Sequence, residues 1–187
     1  MGHGGNVISE LTTDHREVDE LFAQIEALPA DDQDRRRLAD QLTMELIRHS
    51  VAEEAYLYPT VRRYVDDGDD LADKELADHA EVERLLKELE GCEPGDGRFE
   101  SLVTQLKASV TTHVADEEGH LFPALADVCS PEALEKLGEK VRSAKKTAPT
   151  RPHPSAPDTP PANKLLAPGA GMVDRVRDLL TGRGQNA

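Results

Sequence analysis

The sequence predicts an all-α protein whose main part is an antiparallel up-down-up-down four-helix bundle. Through four long stretches of the 187-residue chain, apolar residues recur every three or four positions, which is the helical period. No stretch alternates apolar and polar residues with the period of two that is typical of half-buried strands. Short turns separate the four stretches, and short turns favour antiparallel neighbours.

The first half of the bundle is predicted to be a hairpin of helices over residues 9–28 and 34–65. Ser9 is a candidate N-cap for the first helix, and Pro29 is a candidate stop. Leucines spaced four residues apart lead along one face of the second helix to His49. An acidic run around a glycine then ends this helix and completes the hairpin.

The second half is predicted to repeat this hairpin with helices over residues 71–90 and 99–128. Leucine, histidine and glutamate positions of the first half recur 64 residues later, so a duplicated helical hairpin is the simplest explanation. Two such hairpins share a pseudo-two-fold axis, which brings equivalent residues together in the bundle interior. Ser130 and Pro131 then predict a short fifth helix that runs to about residue 146.

The bundle domain is therefore predicted to span residues 9–146, and the composition changes after it. Residues 147–170 are rich in Pro and are predicted to form a flexible linker without helix. Residues 171–187 are predicted to be a short amphipathic segment, too short to be stable alone. We expect residues 171–181 to dock on the bundle or on a protein partner through their apolar face. This face consists of Met172, Val173, Val176, Leu179 and Leu180.

The composition argues against several classes of partner. The chain has 22 Lys and Arg against 37 Asp and Glu, and its net charge of -15 repels nucleic acid and anionic membranes. Its two cysteines are too few for a disulfide framework, which favours a reducing compartment. We therefore expect a cytoplasmic protein with no nucleic-acid partner and no membrane partner.

One motif occurs twice, at residues 49–59 and 113–123. Both copies read His-x3-Glu-Glu-x2-Leu-(Tyr or Phe)-Pro. In a helix, a histidine and the glutamate four positions later differ in direction by only about 40°. The imidazole and the carboxylate therefore point the same way from adjacent turns, which is the geometry of a pair of metal ligands.

The repeat adds a further histidine to each half, His15 in the first and His79 in the second. A single histidine on an apolar helix face is usually a core residue. Four buried histidines together with Glu53 and Glu117 would be costly without a cation, because buried carboxylates lose their hydration and repel each other. Imidazole and carboxylate ligands without thiolates suit iron, manganese or zinc, and two bridging carboxylates suit a pair of metal ions.

These residues, in this order on four helices, resemble the hemerythrin and HHE cation-binding family, in particular its bacterial hemerythrin-like members. The resemblance covers residues 9–128. It implies a non-haem di-iron centre, with two iron ions joined by an oxo or hydroxo bridge. It also implies that the two histidines of each half serve one iron and that two glutamates bridge the irons. The ligands so implied are His15, His49, Glu53, His79, His113 and Glu117.

The chain departs from the oxygen carriers of this family at two places. Where they have a further histidine four residues after the third-helix histidine, this chain has Glu83. We expect Glu83 to be a metal ligand that favours the ferric state, with a solvated surface acid as the alternative. Its counterpart Asp19 is shorter, which would leave an open coordination position beside the first-half histidines. The fourth-helix carboxylate of the carriers lies five residues after its histidine. Here Glu117 and Glu118 are both available, and helical phase favours Glu117.

Tyr56 and His120 lie one turn beyond the two bridging glutamates and are the candidate catalytic residues. Helical phase places both on the ligand face, where they can be metal ligands or proton donors for O–O cleavage. The alternative is that they cover the site or hydrogen-bond its ligands. Tyr58 lies off this face unless Pro59 distorts the helix.

The resemblance implies a protein that handles a small oxidant in oxidative or nitrosative stress. We expect hydrogen peroxide as the ligand and catalase-like dismutation as the reaction, because a two-metal centre can accept and return two electrons. A non-enzymatic binder or sensor of O2, NO or iron is the alternative. Ferritin-like iron oxidation is less favoured, since the Glu-x-x-His motif of those proteins fits only at Glu117 and His120.

Overall fold

A computed structural model describes residues 4–156 and 162–181, and every regular element in these ranges is helical. The α-helices are α1 (Val7–Ala27), α2 (Asp34–Ala52), α3 (Tyr58–Tyr64), α4 (Gly68–Leu89), α5 (Gly97–Asp116), α6 (Phe122–Val128), α7 (Pro131–Thr147) and α8 (Ala162–Thr181). Two π-helical turns, π1 (Glu53–Leu57) and π2 (Glu117–Leu121), join α2 to α3 and α5 to α6. The predicted all-α class is confirmed. None of the described helices is long and apolar enough to cross a membrane.

The four-helix bundle consists of two helical hairpins. In the first, α1 packs along α2, and in the second, α4 packs along α5. Helix α3 continues from α2 through π1 and also contacts α4, which joins the two hairpins. Helix α7, which corresponds to the predicted fifth helix, lies against α1 and α2. Its N-cap is Ser130, as predicted, whereas the cap of α1 is Asn6 rather than Ser9.

The core is divided into two apolar clusters with a polar layer between them. One cluster contains Phe22, Leu42, Leu86 and Leu106, among others. The other cluster surrounds Leu57 and is covered by α7. His15, His49, His79 and His113 each lie in the sequence between a residue of the first cluster and a residue of the second. This layering places the histidines and the motif glutamates in the bundle interior.

The π-turns are a departure from the continuous α-helices that the sequence predicts. At π1 the N–H of Tyr58 donates to the carbonyl of Glu53, five residues earlier, and at π2 Phe122 donates in the same way to Glu117. A proline follows each of these donors. Proline has no N–H, and in an α-helix its ring clashes with the carbonyl four residues earlier. A wider turn relieves that clash and changes the direction of every side chain after it.

The C-terminal part of the chain corrects two predictions. Helix α8 begins at Ala162, inside the range 147–170 that was predicted to be a flexible linker, and Pro168 lies within it. An internal proline costs a helix about 3 kcal/mol, and contacts of α8 with α7 and π1 oppose this cost. At Gly171 an added Cβ would lie 2.4 Å from the carbonyl oxygen of Thr147, so α8 approaches α7 closely there. Residues 182–187 of the predicted segment lie outside the described residues.

The second correction concerns the face through which α8 docks. We expected its apolar residues to contact either the bundle or a protein partner. Met172, Val173, Val176 and Leu179 are all more than half exposed, so this face does not pack on the bundle, and its docking on a partner stays a prediction. The inward face instead carries Asp174 and Asp178, which are buried. Their carboxylates accept hydrogen bonds from the chain at residues 150–151. Helix α8 therefore docks on its own chain through polar contacts.

Candidate metal centre

Four histidines and two glutamates converge between the two apolar clusters. One possible ligand set combines His15 and His49 with both glutamates, Glu53 and Glu117. Two further sets overlap with it, Glu53 with His79 and His113, and Glu117 with His113 and Glu75. Within each set the ligand atoms lie within 4.8 Å of one another. Each glutamate thus belongs to more than one set, as bridging carboxylates would.

The Nε2 atoms of the four histidines face the two central carboxylates. Glu53 Oε2 lies 3.0 Å from His49 Nε2 and 3.3 Å from His79 Nε2. Glu117 Oε2 lies 3.4 Å from His15 Nε2 and 3.7 Å from His113 Nε2. Each carboxylate therefore contacts one histidine from each half of the chain, as the pseudo-two-fold arrangement predicts.

The Nδ1 atoms on the outer side of the rings face a second set of carboxylates. His15 Nδ1 lies 2.8 Å from Glu118, and His79 Nδ1 lies 3.0 Å from Glu54. Glu54 and Glu118 are the second glutamates of the two motif copies, so each half of the chain orients a histidine of the other half. When a carboxylate accepts a hydrogen bond from the Nδ1–H group, the proton stays on Nδ1. The lone pair of Nε2 is then free to bind a metal ion.

The other two histidines break the symmetry of the repeat. His49 Nδ1 lies 3.2 Å from Asp14, whereas His113 Nδ1 lies 2.7 Å from Glu75. The repeat counterpart of Asp14 is Asp78, and its carboxylate accepts a hydrogen bond from Lys74 at the surface instead. Sequence reasoning did not identify Asp14, Glu54 or Glu75 as site residues. The repeated second glutamate of the motif was the one signal that could have indicated Glu54.

The donor set fits a bound metal ion. Glu53 and Glu117 are fully buried, and His15 and His113 are 3% and 5% exposed. Within the described ranges, Glu53 Oε1, Glu117 Oε2 and the Nε2 atoms of both histidines have no hydrogen-bond partner. Buried polar atoms without partners are costly, and metal coordination would satisfy them. Nitrogen and oxygen donors without sulfur suit iron, manganese or zinc.

Without a metal ion, the buried histidine and glutamate charges of the site stabilise one another. Burial alone would lower the pKa of His49 and raise that of Glu53, but each charge stabilises the other. As a result, the pKa of His49 lies well above its usual value and the pKa of Glu53 well below. Burial also acts to lower the pKa of His79, but Glu53 and Glu54 raise it to about 10. Without a metal ion, the imidazolium forms of His49 and His79 are therefore favoured beside the Glu53 carboxylate.

The phenol at the site is Tyr58 and not the predicted Tyr56. Tyr58 is 1% exposed. Its Oη lies 3.0 Å from His79 Nε2, 3.2 Å from Glu117 Oε1 and 3.4 Å from Glu53 Oε2. Tyr56 is half-buried against the apolar cluster around Leu57. The change of phase at π1 explains the exchange, and Pro59 was the sequence signal for it.

The second half of the chain has no phenol at this position. The repeat counterpart of Tyr58 is Phe122, whose ring stacks on His15 with a centroid separation of 5.9 Å and an interplanar angle of 3°. Burial and nearby carboxylates, first that of Glu117, raise the pKa of Tyr58 well above its usual value, so the phenol keeps its proton. One side of the site therefore carries a hydroxyl group that can donate a hydrogen bond, and the other side carries an apolar ring.

Two further predicted site residues, His120 and Glu83, lie away from the cluster. His120 is on the surface, with its side chain 74% exposed and its Nδ1 3.5 Å from Asp116. Glu83 faces the C-terminal segment, where its Oε1 accepts a hydrogen bond of 2.6 Å from the backbone N–H of His153. Its counterpart Asp19 is 58% exposed. Neither residue belongs to the groups of converging ligand atoms, so the expected role of Glu83 as a ligand has no support in the structure, while Asp19 lies away from the site as expected. Of the two alternatives at the end of α5, Glu117 joins the cluster and Glu118 does not.

A small cavity of about 20 Å³ lies beside the four histidines. Its other walls are mainly apolar and include Val18, Val82, Val110 and Val114. A cavity needs roughly 10–15 Å³ to hold one water-sized molecule. The cavity therefore suits a small ligand of two heavy atoms at most and excludes organic substrates.

Comparison with known proteins agrees with this site. The family model of the hemerythrin HHE cation-binding domain matches residues 6–128. An uncharacterised hemerythrin-like protein of Schizosaccharomyces pombe is 31% identical over 169 residues, which are 89% of this chain and 82% of that protein. A DNA nickase of Nostoc sp. is 33% identical over 141 residues, which are 75% of this chain but 39% of that protein's length.

A solved structure shares the fold as well. The crystal structure of a hemerythrin HHE cation-binding domain-containing protein from Mycobacterium kansasii matches with a TM-score of 0.66 and 25% sequence identity. The match covers 75% of this chain and 85% of that one. The matched family model spans both helical hairpins and therefore all six converging ligand candidates. The chain belongs to the hemerythrin HHE cation-binding domain family.

Proposed function

We propose that this protein binds two iron ions at the His and Glu cluster and disproportionates hydrogen peroxide there. His15 and His49 would hold one ion, His79 and His113 the other, and Glu53 and Glu117 would bridge them. When bound, such a pair supplies two-electron redox chemistry. The observation that carries the catalytic part is the position of the Tyr58 hydroxyl, which lies within hydrogen-bond distance of His79 and Glu117 at the edge of the cluster.

In this reaction the residues of the chain select the reactant and carry a proton. The apolar walls of the small cavity exclude other reactants and admit a molecule the size of peroxide. In the reductive half of the reaction, one peroxide takes up two electrons and two protons, its O–O bond breaks and two water molecules form. Tyr58 Oη can give one of these protons at the site. In the oxidative half, a second peroxide loses two electrons and two protons to become O2, and the phenol recovers its proton.

The test uses the full chain, loaded with ferrous iron under anaerobic conditions and then mixed with peroxide. Sustained release of one O2 for every two peroxide molecules consumed, lost in His113→Ala, is the result expected. A stable spectral complex with O2 or NO, without peroxide turnover, would overturn the proposal and identify the protein as a binder or sensor. The size and apolar walls of the cavity also suit a neutral diatomic ligand, so this alternative has a structural basis.

Two other functions receive less support. Ferritin-like iron oxidation depended on His120 in the Glu-x-x-His pattern, and His120 is on the surface. The name DNA nickase belongs to a relative of which this chain spans 39%. The net charge of -15 argues against a nucleic-acid partner here, and the absence of such a partner stays a prediction.

Iron binding is expected to release protons from the site. At neutral pH the protonated forms of His49 and His79 are favoured in the metal-free site, because the pKa of each is raised and that of His79 is about 10. Since a histidine must lose its proton to bind a metal ion, we expect about two protons released per chain and an affinity that rises with pH toward 10. Anaerobic calorimetry with ferrous iron, repeated in buffers of different ionisation enthalpy, measures the number.

The control for this measurement is His120→Ala, which removes a surface histidine and should release the same number of protons as the wild type. Proton release close to zero in the wild type would contradict the charge state described for the metal-free cluster.

A further inference from the structure

A second pocket lies outside the metal site and has no role in the chemistry described above. It has a volume of about 110 Å³ and lies between α2, α4 and the C-terminal part of the chain. Most of its lining is apolar, with contributions from Ile47, Leu76, Leu86 and Ala167. The carboxylates of Glu54 and Glu83 also line it. A pocket of this composition favours small neutral molecules over anions.

The pocket adjoins the small cavity beside the histidines. Three residues, Ser50, His79 and Val82, line both spaces. One face of His79 therefore borders the pocket, where its Nδ1 contacts Glu54, while its Nε2 faces the metal cluster. Ser50 has the smallest side chain of the three. The side chains of Ser50, His79 and Val82 therefore form the shared wall between the pocket and the small cavity at the metal site.

The outer wall of the pocket is held in place by polar contacts of α8. Asp174 Oδ2 accepts hydrogen bonds from the N–H groups of Thr150 and Arg151 at 3.2 and 3.1 Å, and it lies 2.9 Å from His153 Nε2. On the other side, the N–H of His153 donates to Glu83 of α4. The stretch around residues 150–153 is therefore bound at once to α4 and to α8.

We propose that this pocket is the vestibule through which a small neutral oxidant reaches the metal site, with α8 as its outer wall. The inference rests on the proposed function, because it assigns an entrance to that site. Glu83, which lies outside the groups of converging ligand atoms, helps to position this wall because it accepts a hydrogen bond from His153. The contacts of Asp174 hold α8 against residues 150–153, so they determine how tightly the vestibule is closed.

The first test fills the vestibule from α8. Ala167→Phe places a ring in the pocket, and Val176→Phe adds the same ring to the outer face of the same helix, where Val176 is 55% exposed. In stopped-flow measurements on the full chain loaded with ferrous iron, Ala167→Phe should slow association of nitric oxide about tenfold, with unchanged iron content. Val176→Phe should leave the rate unchanged. An unchanged rate in Ala167→Phe would overturn the proposal.

A second variant acts in the opposite direction. Asp174→Ala removes the acceptor of both backbone N–H groups and should loosen the wall, so nitric oxide is expected to associate faster than in the wild type. A slower or unchanged rate, with the helical circular dichroism spectrum retained, would count against α8 as the wall.

A third measurement does not depend on iron. Xenon enters small apolar cavities, and the vestibule, with a volume of about 110 Å³ and a mainly apolar lining that includes Leu86, has room for it. In NMR spectra of the metal-free full chain, xenon should shift the methyl signals of Leu86 in the wild type and less in Ala167→Phe. Equal shifts in both would overturn the vestibule. Failure of the proposed function is a distinct outcome, because peroxide turnover would then be absent while nitric oxide and xenon still follow this route.

Discussion

Replacing Glu53 with Gln is expected to lower the iron content of the loaded protein from about two ions per chain to less than one. Glu53 Oε2 lies within 3.3 Å of the Nε2 atoms of both His49 and His79, so this one carboxylate serves both histidine pairs. The amide keeps the size of the side chain but removes the negative charge. Elemental analysis after anaerobic loading and desalting measures the loss, and the melting temperature should fall with it because bound metal stabilises the folded state.

Glu83→Gln is the matched control, since it makes the same chemical change at the acid that the sequence placed among the ligands. In the structure Glu83 lies outside the cluster and accepts a hydrogen bond from His153. Its loss should therefore leave the equilibrium iron content unchanged. Equal iron loss in Glu53→Gln and Glu83→Gln would show that Glu83 is a ligand after all and would contradict the site described here.

Tyr58→Phe is expected to slow release of O2 from peroxide by about 100-fold or more while the protein keeps its iron. The substitution removes only the hydroxyl, and the repeat already accommodates a phenylalanine at the equivalent position, Phe122. The ring continues to fill the same buried space, so folding should be retained. An oxygen electrode gives the rate, and elemental analysis of the same samples gives the iron content.

The controls for this variant are the two residues that helical phase alone selected. Tyr56→Phe removes a phenol two residues earlier, within π1 and outside the cluster, and His120→Ala removes an exposed imidazole. Both should turn over peroxide at the wild-type rate. A wild-type rate in Tyr58→Phe would exclude the phenol as the proton donor, and a parallel loss of iron would instead make it a metal ligand.

The local rules of helices account for much of what the sequence predicts correctly. The helical period identifies the elements of the bundle, and the 64-residue repeat brings His15 and His79 to the same layer as the two motif copies. The choice of Glu117 over Glu118 also follows from phase, because α5 is regular up to Asp116. Each of these inferences depends only on residues a few turns apart or on the symmetry of the duplication.

The α-helical period predicts the wrong direction for side chains that follow a π-turn. Tyr56 and His120 were selected by continuing an α-helix through residues that form π1 and π2. The wider turns move Tyr58 into the cluster and leave His120 in solvent. Pro59 and Pro123 indicate that the helix departs from regular α-helical geometry at these places. A proline can cause a kink, a break or a wider turn. Which of these occurs depends on the packing around it.

The sequence by itself determined the bundle, its duplication and the six His and Glu side chains that converge, because periodicity and repetition are properties of the chain alone. Only the tertiary structure decided which phenol reaches the site, what Glu83 contacts and which face of α8 docks. Glu83 is bound by the N–H of His153, 70 residues away, and α8 is held by buried aspartates instead of its valines. Such contacts depend on which surfaces meet after folding, and no local pattern in the chain records them.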